Sequence, residues 1–149
     1  EIDFLVDIDD TFPEIEVDPD RIVQVLINLF KNATDAVDGA GTVRIEAGVY
    51  AGGDPDVVVE KEREMVRITV SDDGSGIAPD DREKIFEPFF SRRRGGTGLG
   101  LFVTHSIVQH HQGRITVDST EGEGTRFRLY LPISQPPKGE AVEAGHPVG

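Results

Sequence analysis

The chain reads NLFKNATDAV at residues 28–37, DDGSGI at 72–77, FEPFF at 86–90 and GTGLGL at 96–101, and these four segments decide how it folds. Asparagine can supply an oxygen to a metal ion, and aspartate can accept a hydrogen bond from the amine of adenine. A glycine-rich helix start can bind phosphates through its backbone N–H groups. Each segment alone is weak evidence, but the ordered set predicts a site for ATP.

Length and composition limit the class of protein. A chain of 149 residues suits one domain with a sizeable core. It has no cysteine, which excludes disulfides and thiolate metal sites. Its net charge of −13 disfavours nucleic acid and anionic membranes as partners, and no apolar run approaches the ~20 residues that span a bilayer. We therefore expect no nucleic-acid partner and no direct membrane contact.

The ends of the chain differ from its middle. It begins with EIDFLVDID, strand-like and without an initiator methionine, as a fragment of a longer protein would. Residues 134–149 are poor in apolar residues and rich in proline and glycine, so we expect a disordered tail. The predicted domain is 1–133.

Alternation and helical periodicity predict the secondary structure between these ends. The first long helix should start at Asp18, followed by Pro19, and stop at Gly39. Strands are expected over 2–8, 42–50, 65–71, 114–120 and 125–133, and helices over 19–37, 79–85 and 99–111. Because strands and helices do not alternate regularly, the economical architecture is α+β, a two-layer α/β sandwich with helices on one face of a mixed sheet.

The first long helix carries a polar stripe opposite its apolar side, formed by Gln24, Asn28, Asn32 and Asp35. An ordinary solvated face is one interpretation. Against it, lysine or glutamate would solvate a helix at less cost than asparagine. Two asparagines one turn apart suit a Mg²⁺ ion that takes one protein oxygen and the oxygens of a substrate phosphate. The helix by itself leaves both interpretations open.

The DDGSGI segment runs from a strand into a glycine turn. A simple β-turn would explain it. Alternatively, Gly74 and Gly76 let the backbone approach a flat ring, and the Asp72 carboxylate accepts from an exocyclic amine. That arrangement would select adenine over guanine.

The GTGLGL segment opens the second long helix with Gly96, Gly98 and Gly100. A hinge is the alternative to a phosphate cradle, but a glycine in the first turn favours close backbone approach. The chain has no Walker A loop and no dinucleotide fingerprint. The basic run of Arg92, Arg93 and Arg94 lies beside it. In isolation that run suggests a solvated loop, but its position in an acidic chain favours phosphate binding.

The FEPFF segment is most simply a source of core side chains, and we assign Phe86 to the core. Phe89 and Phe90 could instead anchor a hinged lid over a nucleotide. The four histidines, His105, His110, His111 and His146, have no metal-binding or catalytic spacing, so structural or surface roles are expected.

Together these segments resemble the catalytic and ATP-binding domain of sensor histidine kinases, in the superfamily that includes gyrase-type, Hsp90-type and MutL-type ATPases. The resemblance covers residues 1–133 and is strongest to the nitrogen-regulation-like branch, through QVLINLFKNATDAV, FEPFFSRRRGGTGLGL and IVQHHQGRITVDSTEGEGTRFRLYLP. It implies a Bergerat-type fold, mostly antiparallel, with a mobile ATP lid. The family's N, G1, F and G2 boxes fall at 28–33, 72–76, 86–90 and 96–100.

The resemblance also implies roles for single residues. Asn32 would bind Mg²⁺, with Asn28 as a neighbouring phosphate or metal contact. Asp72 would accept from adenine, assisted by Thr125 through an ordered water. The remaining nucleotide contacts it implies are Asp35, Gly74, Gly76, Ile77, Phe89, Arg93, Thr97, Gly98, Leu99, Gly100 and Leu101.

Several positions depart from the family pattern. Asp35 stands where a basic residue is common, and Arg93 stands where a lid lysine is common. Asp73 replaces a commoner asparagine, and Gln112 replaces a glycine after the helix-ending histidine. A phosphate contact could therefore come from Arg93 instead of residue 35.

The acceptor of the phosphate is absent from the sequence, because none of the four histidines has the family's acceptor context. The resemblance implies that the γ-phosphate goes to a histidine on a dimerisation domain of the same parent protein, and then to a response regulator. It implies a cytoplasmic location, with or without a membrane anchor in the parent protein, and a monomeric isolated chain.

Two other functions remain as alternatives. One is an ATPase that acts as a conformational switch, in which a glutamate four residues before the metal-binding asparagine activates water. That position is Asn28 here, which cannot act as a base. The other is a module that only binds nucleotide.

Overall fold

The computed structural model describes residues 1–54, 57, 64–90 and 98–134. Its elements, in chain order, are β1 (Ile2–Ile8), α1 (Pro19–Val37), β2 (Gly41–Tyr50), β3 (Met65–Asp72), a 3-10 helix (Pro79–Asp81), α2 (Gly100–His110), β4 (Arg114–Thr120) and β5 (Gly124–Pro132). The predicted strands and long helices are confirmed to within a residue or two at each end.

The five strands form one sheet in the order β1-β2-β3-β5-β4. β1 pairs with β2 in parallel, and the other neighbours pair antiparallel. β3 therefore occupies the centre, and its C-terminal residue Asp72 lies directly opposite Thr125 of β5. This register brings together two residues that are far apart in the sequence.

Both helices pack on the same face of this sheet. Alternate residues of the central strands, such as Val66, Val70 and Leu129, meet Leu29 of α1 and Val108 of α2 in one buried core. Side chains of a strand alternate between its two faces, so one face is apolar and the other polar. The predicted α+β two-layer sandwich is confirmed.

Local signals set the ends of α1. The Asp18 carboxylate accepts a hydrogen bond from the Arg21 N–H group, and Pro19 occupies the first turn, as predicted. At the other end the left-handed turn begins at Asp38, with φ of 50°, one residue before the predicted stop at Gly39.

The short helix predicted over 79–85 is only partly present. A 3-10 helix covers Pro79–Asp81, and separate turns follow, such as those closed by Lys84 N–H to Asp81 and Glu87 N–H to Lys84. So short a segment gains little from helical hydrogen bonds, and isolated four-residue turns satisfy its backbone equally well.

Two tyrosines are buried on the sheet face away from the helices. Their rings contact edge to face, with centroids 5.0 Å apart. Tyr50 accepts a hydrogen bond from the Asp54 N–H group, and the Tyr130 hydroxyl donates to the Asp54 carboxylate. Arg67 forms an ion pair with Asp54 at 2.8 Å and lies over the Tyr50 ring. This tyrosine cluster, Tyr50, Asp54, Arg67 and Tyr130, ties the segment after β2 to the sheet.

Three predictions fall wholly or mainly outside the described residues: the tail (only Ser134 is described), the lid, and the basic run with Arg93 and Thr97. In the part of the chain that is described, α1 is the longest helix, and neither it nor α2 has the length and hydropathy of a membrane span.

Candidate functional site

A cavity of about 180 Å³ lies between α1, the start of α2 and the ends of β3 and β5. Seven of the predicted site residues line it: Asn32, Asp35, Asp72, Gly76, Ile77, Leu101 and Thr125. Its volume is below the roughly 300–1,000 Å³ of clefts that enclose a whole drug-sized ligand. The cavity is therefore suited to one flat ring, with the rest of a ligand lying outside it.

Apolar side chains complete the cavity. Ile85, Phe90 and Phe127 line it together with the methyl group of Ala36. Of these, the sequence associates only Phe90 with a lid over a nucleotide, beside its alternative role in the core. The other three occupy positions whose periodicity indicates only that they are buried, so no local signal separates cavity lining from core.

A larger cavity of about 520 Å³ lies elsewhere, beside the C-terminal end of β1. Its lining includes the carboxylates of Asp7, Asp9, Asp10 and Glu46, and Arg67 is its single basic residue. None of the residues predicted to bind nucleotide lines this larger cavity, so it does not suit the predicted ligand.

Asp72 is the central polar group of the smaller cavity. Its Oδ1 accepts a hydrogen bond of 2.9 Å from the Gly74 N–H group. Burial raises the pKa of the Asp72 carboxyl, and the negative charge of Asp73 raises it further. Hydrogen bonds from the Gly74 and Thr125 backbone lower the same pKa but do not outweigh burial. The two N–H donors hold the carboxylate in place with its remaining lone pairs available to a ligand.

The glycines of the turn after β3 have structural reasons of their own. A Cβ at Gly74 would lie 2.4 Å from the backbone of Ala36 in α1. Gly76 has a φ of 75°, and its Cβ would lie 2.2 Å from the Thr120 carbonyl oxygen. Close packing of backbone on backbone therefore requires both glycines. Gly76 also lines the cavity, whereas Gly74 does not, and contact of either with a base stays a prediction.

The two asparagines of α1 point to different surroundings. Asn32 lines the cavity. The Asn28 amide nitrogen instead donates to the Gly100 carbonyl oxygen at 3.0 Å and to the Thr104 hydroxyl at 3.2 Å. Since only the nitrogen can donate to a carbonyl, these bonds fix the orientation of the amide. Asn28 therefore ties α1 to the first turn of α2.

Gly98 and Phe89 contact each other, one on each side of residues 90–97 in the sequence. The Phe89 N–H group donates to the Gly98 carbonyl oxygen at 2.7 Å. Gly98 has a φ of 75°, and a Cβ there would lie 2.3 Å from the Phe89 carbonyl carbon. Phe89 itself has a φ of 67° and a side chain that is 76% exposed. The two residues are therefore in direct backbone contact where the predicted lid begins and ends.

The first turn of α2 is the predicted phosphate cradle. The helix begins at Gly100 after Leu99, which provides no side-chain cap. Gly100 has ordinary space around it, because a Cβ would lie 3.8 Å from the nearest atom, the Asn28 Cγ. Within the described residues, therefore, packing of the protein on itself does not explain this glycine. Phosphate contact by Gly98, Leu99 or Gly100 remains a prediction.

The three phenylalanines of the FEPFF segment have different surroundings. Phe86 packs against Phe127, with ring centroids 6.4 Å apart, and against the core. Phe90 lines the cavity and Phe89 is exposed.

Charge around the cavity is largely negative. Asp35 lines it, and Asp73 is exposed nearby, where its Oδ1 accepts a 2.9 Å hydrogen bond from the Thr42 N–H group. The Asp73 side chain thus also secures the start of β2. Within residues 1–54, 57, 64–90 and 98–134, no group of three or more His, Asp and Glu side chains could hold a metal ion.

His111 has a structural role. Its Nε2 accepts a hydrogen bond of 3.1 Å from the Asp18 N–H group, which fixes the tautomer with the proton on Nδ1. Nδ1 then donates to the Ile107 carbonyl oxygen at 2.9 Å. The end of α2 is thereby attached to the start of α1.

Most of the chain, from α1 to β5, is similar to known proteins. The family described as histidine kinase-, DNA gyrase B- and HSP90-like ATPase matches residues 17–135. The chain is 46% identical over 125 residues to the sensor histidine kinase ZraS of Escherichia coli O157:H7, covering 84% of this chain and 25% of that protein. It is 40% identical over 136 residues to the sensory histidine kinase/phosphatase NtrB of Rhodobacter capsulatus, covering 86% and 36%.

The solved structures that resemble this chain are also histidine kinases. The catalytic domain of histidine kinase ThkA, in a nucleotide-free form, superposes with a TM-score of 0.71 at 34% identity, covering 89% of this chain and 81% of that one. Full-length ShkA in complex with AMPPNP gives a TM-score of 0.73 at 30% identity, covering 91% of this chain and 26% of that one. Among the relatives matched by sequence, the chain spans about a quarter of the length of ZraS.

Proposed function

Because the chain belongs to the family of histidine kinase-, DNA gyrase B- and HSP90-like ATPases and is a catalytic, ATP-binding domain of the sensor histidine kinase type, we propose that it binds Mg-ATP and presents the γ-phosphate to a histidine on a separate dimerisation domain. The domain is assigned to residues 1–133. The downstream partner in this proposal is a response regulator, and the location is the cytoplasm, where ATP is available.

The observation that carries the proposal is a pair of side chains with acceptor oxygens in the lining of the cavity. The Asp72 carboxylate and the Thr125 hydroxyl lie opposite each other in the β3–β5 pair, and both line the cavity. Phe90 and Phe127 add apolar lining, which suits a flat ring. An adenine amine has two N–H donors and would satisfy these acceptors.

Asn32 is the proposed protein ligand of Mg²⁺. It lines the cavity beside Asp35, at the wall formed by α1. Mg²⁺ keeps several waters and is usually bound through one or two protein oxygens together with substrate phosphates. A single amide oxygen therefore fits the ion, which would supply charge neutralisation for the phosphates.

Positioning and electrostatic stabilisation dominate phosphoryl transfer, so this domain needs no nucleophile of its own. Asn28 supports transfer over hydrolysis. It replaces the glutamate that activates water in the related ATPases, and its amide nitrogen is engaged by α2. A neutral imidazole on the partner domain is a competent nucleophile.

Calorimetric titration of this chain with ATP, with and without Mg²⁺, tests nucleotide binding. We expect Mg²⁺-dependent binding that Asp72→Ala abolishes and whose Mg²⁺ dependence Asn32→Ala removes. Unchanged affinity in Asp72→Ala would remove the adenine assignment. A Mg²⁺ dependence that persists in Asn32→Ala would mean another ligand.

Phosphoryl transfer requires a second experiment. The chain is mixed with a separately prepared histidine-bearing dimerisation domain and with ATP that is radiolabelled at the γ-phosphate. We expect an acid-labile phosphohistidine on the added domain and none when its histidine is replaced. Vigorous ATP hydrolysis by this chain alone would support the ATPase alternative instead, and binding without either reaction would support the module that only binds nucleotide.

A further inference from the structure

Ser119 of β4 contacts Thr125 but does not itself line the smaller cavity, which is the proposed adenine site. It is directly opposite Thr125 in the β4–β5 pair, and its side chain is buried, with 6% of the residue exposed. Its Oγ lies 2.8 Å from the Ile77 nitrogen, 3.0 Å from the Gly124 carbonyl oxygen and 2.9 Å from the Thr125 hydroxyl oxygen. Three polar groups thus converge on one hydroxyl.

A serine hydroxyl can donate one hydrogen bond and accept two. The Gly124 carbonyl can only accept, so the Ser119 proton points to it. The Ile77 N–H group can only donate, so it occupies one Ser119 lone pair. The Thr125 contact is then a hydrogen bond only if the Thr125 hydroxyl donates its proton to Ser119. This is the one assignment that satisfies all three contacts.

The consequence concerns Thr125. Its single hydroxyl proton is directed at Ser119, so towards the cavity its oxygen can only accept. The Asp72 carboxylate opposite, held by two backbone N–H groups, also presents acceptors. A purine with an amine at position 6 brings donors to these two groups. A purine with an oxygen there would place an acceptor against an acceptor.

We propose that Ser119 is a positioning residue that fixes the polarity of the Thr125 hydroxyl and thereby makes the site select 6-amino over 6-oxo purine nucleotides. The proposal rests on the function proposed above and adds the group that sets base selectivity. When the Ser119 hydroxyl is removed, the Thr125 proton loses its partner and can turn into the cavity. There it opposes an amine and can donate to a 6-oxo group.

The test compares Mg-ATP with Mg-ITP, whose base carries oxygen in place of the amine, by calorimetric titration of the 149-residue chain. The native chain should prefer ATP by about tenfold or more, because the site leaves unpaired acceptors when the amine is missing. Ser119→Ala should reduce this ratio severalfold by weakening ATP and strengthening ITP. Thr120→Ala deletes the next hydroxyl along β4, on an exposed residue, and should leave the ratio unchanged.

Two further variants separate positioning from general damage. Thr125→Val removes the acceptor itself and should also lower the ratio, so it tests the proposal if Ser119→Ala fails to fold. In the Thr125→Val background, Ser119→Ala should change the ratio no further. If Ser119→Ala weakens both nucleotides by the same factor, or Thr125→Val keeps the full preference, the proposal is wrong.

Titration of the native chain separates a failure of the proposed function from a failure of the proposed role of Ser119. Absence of ATP binding would overturn the proposed function and this inference together. ATP binding without preference over ITP would overturn only the role of Ser119 and leave the proposed function intact.

Discussion

The amide nitrogen of Asn28 lies 3.0 Å from the carbonyl oxygen of Gly100, and this hydrogen bond joins the middle of α1 to the first residue of α2. The same nitrogen also donates to the Thr104 hydroxyl. Asn28 was predicted as a phosphate or metal contact, and its nitrogen is already engaged within the protein. Any contact with phosphate or metal would therefore use its Oδ1 atom.

Replacement of Asn28 should lower stability as well as function. Asn28→Ala leaves Gly100 and Thr104 without this donor, and we expect a loss of about 1–3 kcal/mol in the free energy of unfolding. Asn28→Asp should cost more at neutral pH, because a carboxylate would face a carbonyl oxygen. Urea denaturation measures both. Gln24→Ala, an exposed position on the same polar stripe, is the matched control, and equal losses in all three variants would contradict the assignment.

Two glycines at the start of α2 should respond differently to alanine. Gly98→Ala introduces a Cβ 2.3 Å from Phe89 and an unfavourable φ, so we expect a loss of at least ~1–2 kcal/mol. Gly100→Ala has space and should leave the chain equally stable or up to ~1 kcal/mol more stable. If the phosphates approach this turn, Gly100→Ala should still weaken ATP binding. Thermal melts with calorimetry separate the effects, and unchanged affinity in Gly100→Ala would remove it from the phosphate site.

Asp72→Asn should separate stability from binding. Burial raises the pKa of this carboxyl in the folded chain, so its stabilising contribution is present below the ordinary value of 3.8 and is lost as pH rises through the raised pKa. At neutral pH the charged carboxylate is therefore a cost that a neutral amide in its place would remove. We expect Asp72→Asn to melt at the same or a higher temperature at pH 7, with ATP affinity reduced about tenfold or more.

Asp73→Asn is the control for that variant. The amide oxygen that it introduces can still accept from the Thr42 N–H group, so stability and ATP affinity should both persist. A lower melting temperature for Asp72→Asn at pH 7 would contradict the burial argument.

Tyr130 should make the fold sensitive to alkali. Burial, with the Asp54 carboxylate as a second cause, raises the pKa of Tyr130 from 10.0 to about 12. Its contribution to stability is therefore complete below pH 10 and is lost as pH rises through about 12. Unfolding free energies measured from pH 9 upward should fall across this window. Tyr130→Phe should be less stable by about 1 kcal/mol at pH 7 and should lack most of the decline, whereas Tyr50→Phe should retain it.

Gln112 should be a site where glycine stabilises the chain. It follows α2 with a φ of 59°, a left-handed conformation that costs a residue with a Cβ roughly 1–2 kcal/mol. Glycine, which the family resemblance leads us to expect at this position, adopts such a φ without that cost. Gln112→Gly should gain up to ~1 kcal/mol and raise the melting temperature by about 2–4 °C, with ATP affinity unchanged. A drop in stability would mean that contacts of the glutamine side chain outweigh the strain.

Local pattern predicted much of this molecule. The spacing of apolar residues in α1 depends only on the helix period, and Asp18 and Pro19 act within its first turn, so both could be recognised from sequence. The helix predicted over 79–85 is only partly present because this backbone can close either continuous helical turns or isolated four-residue turns with the same residues.

The roles of single residues at the site could not be predicted in this way. Gly74 and Gly76 were interpreted as approach points for a ring, yet the structure gives each a close contact with backbone from another element. The sequence assigns Ser119 no role because it lies in none of the four boxes, and its importance depends on Ile77, Gly124 and Thr125 meeting at one atom.

Most elements, the family and the residue types able to bind a nucleotide can be recognised without coordinates, because they follow from periodicity and from the order of short segments along the chain. Which of those residues share a cavity depends on the three-dimensional packing. Asp72 meets Thr125 through the register of β3 with β5, and Asn28 meets Gly100 across the α1–α2 contact. Such pairings depend on how elements pack, and packing is decided by the whole core rather than by any local run of residues.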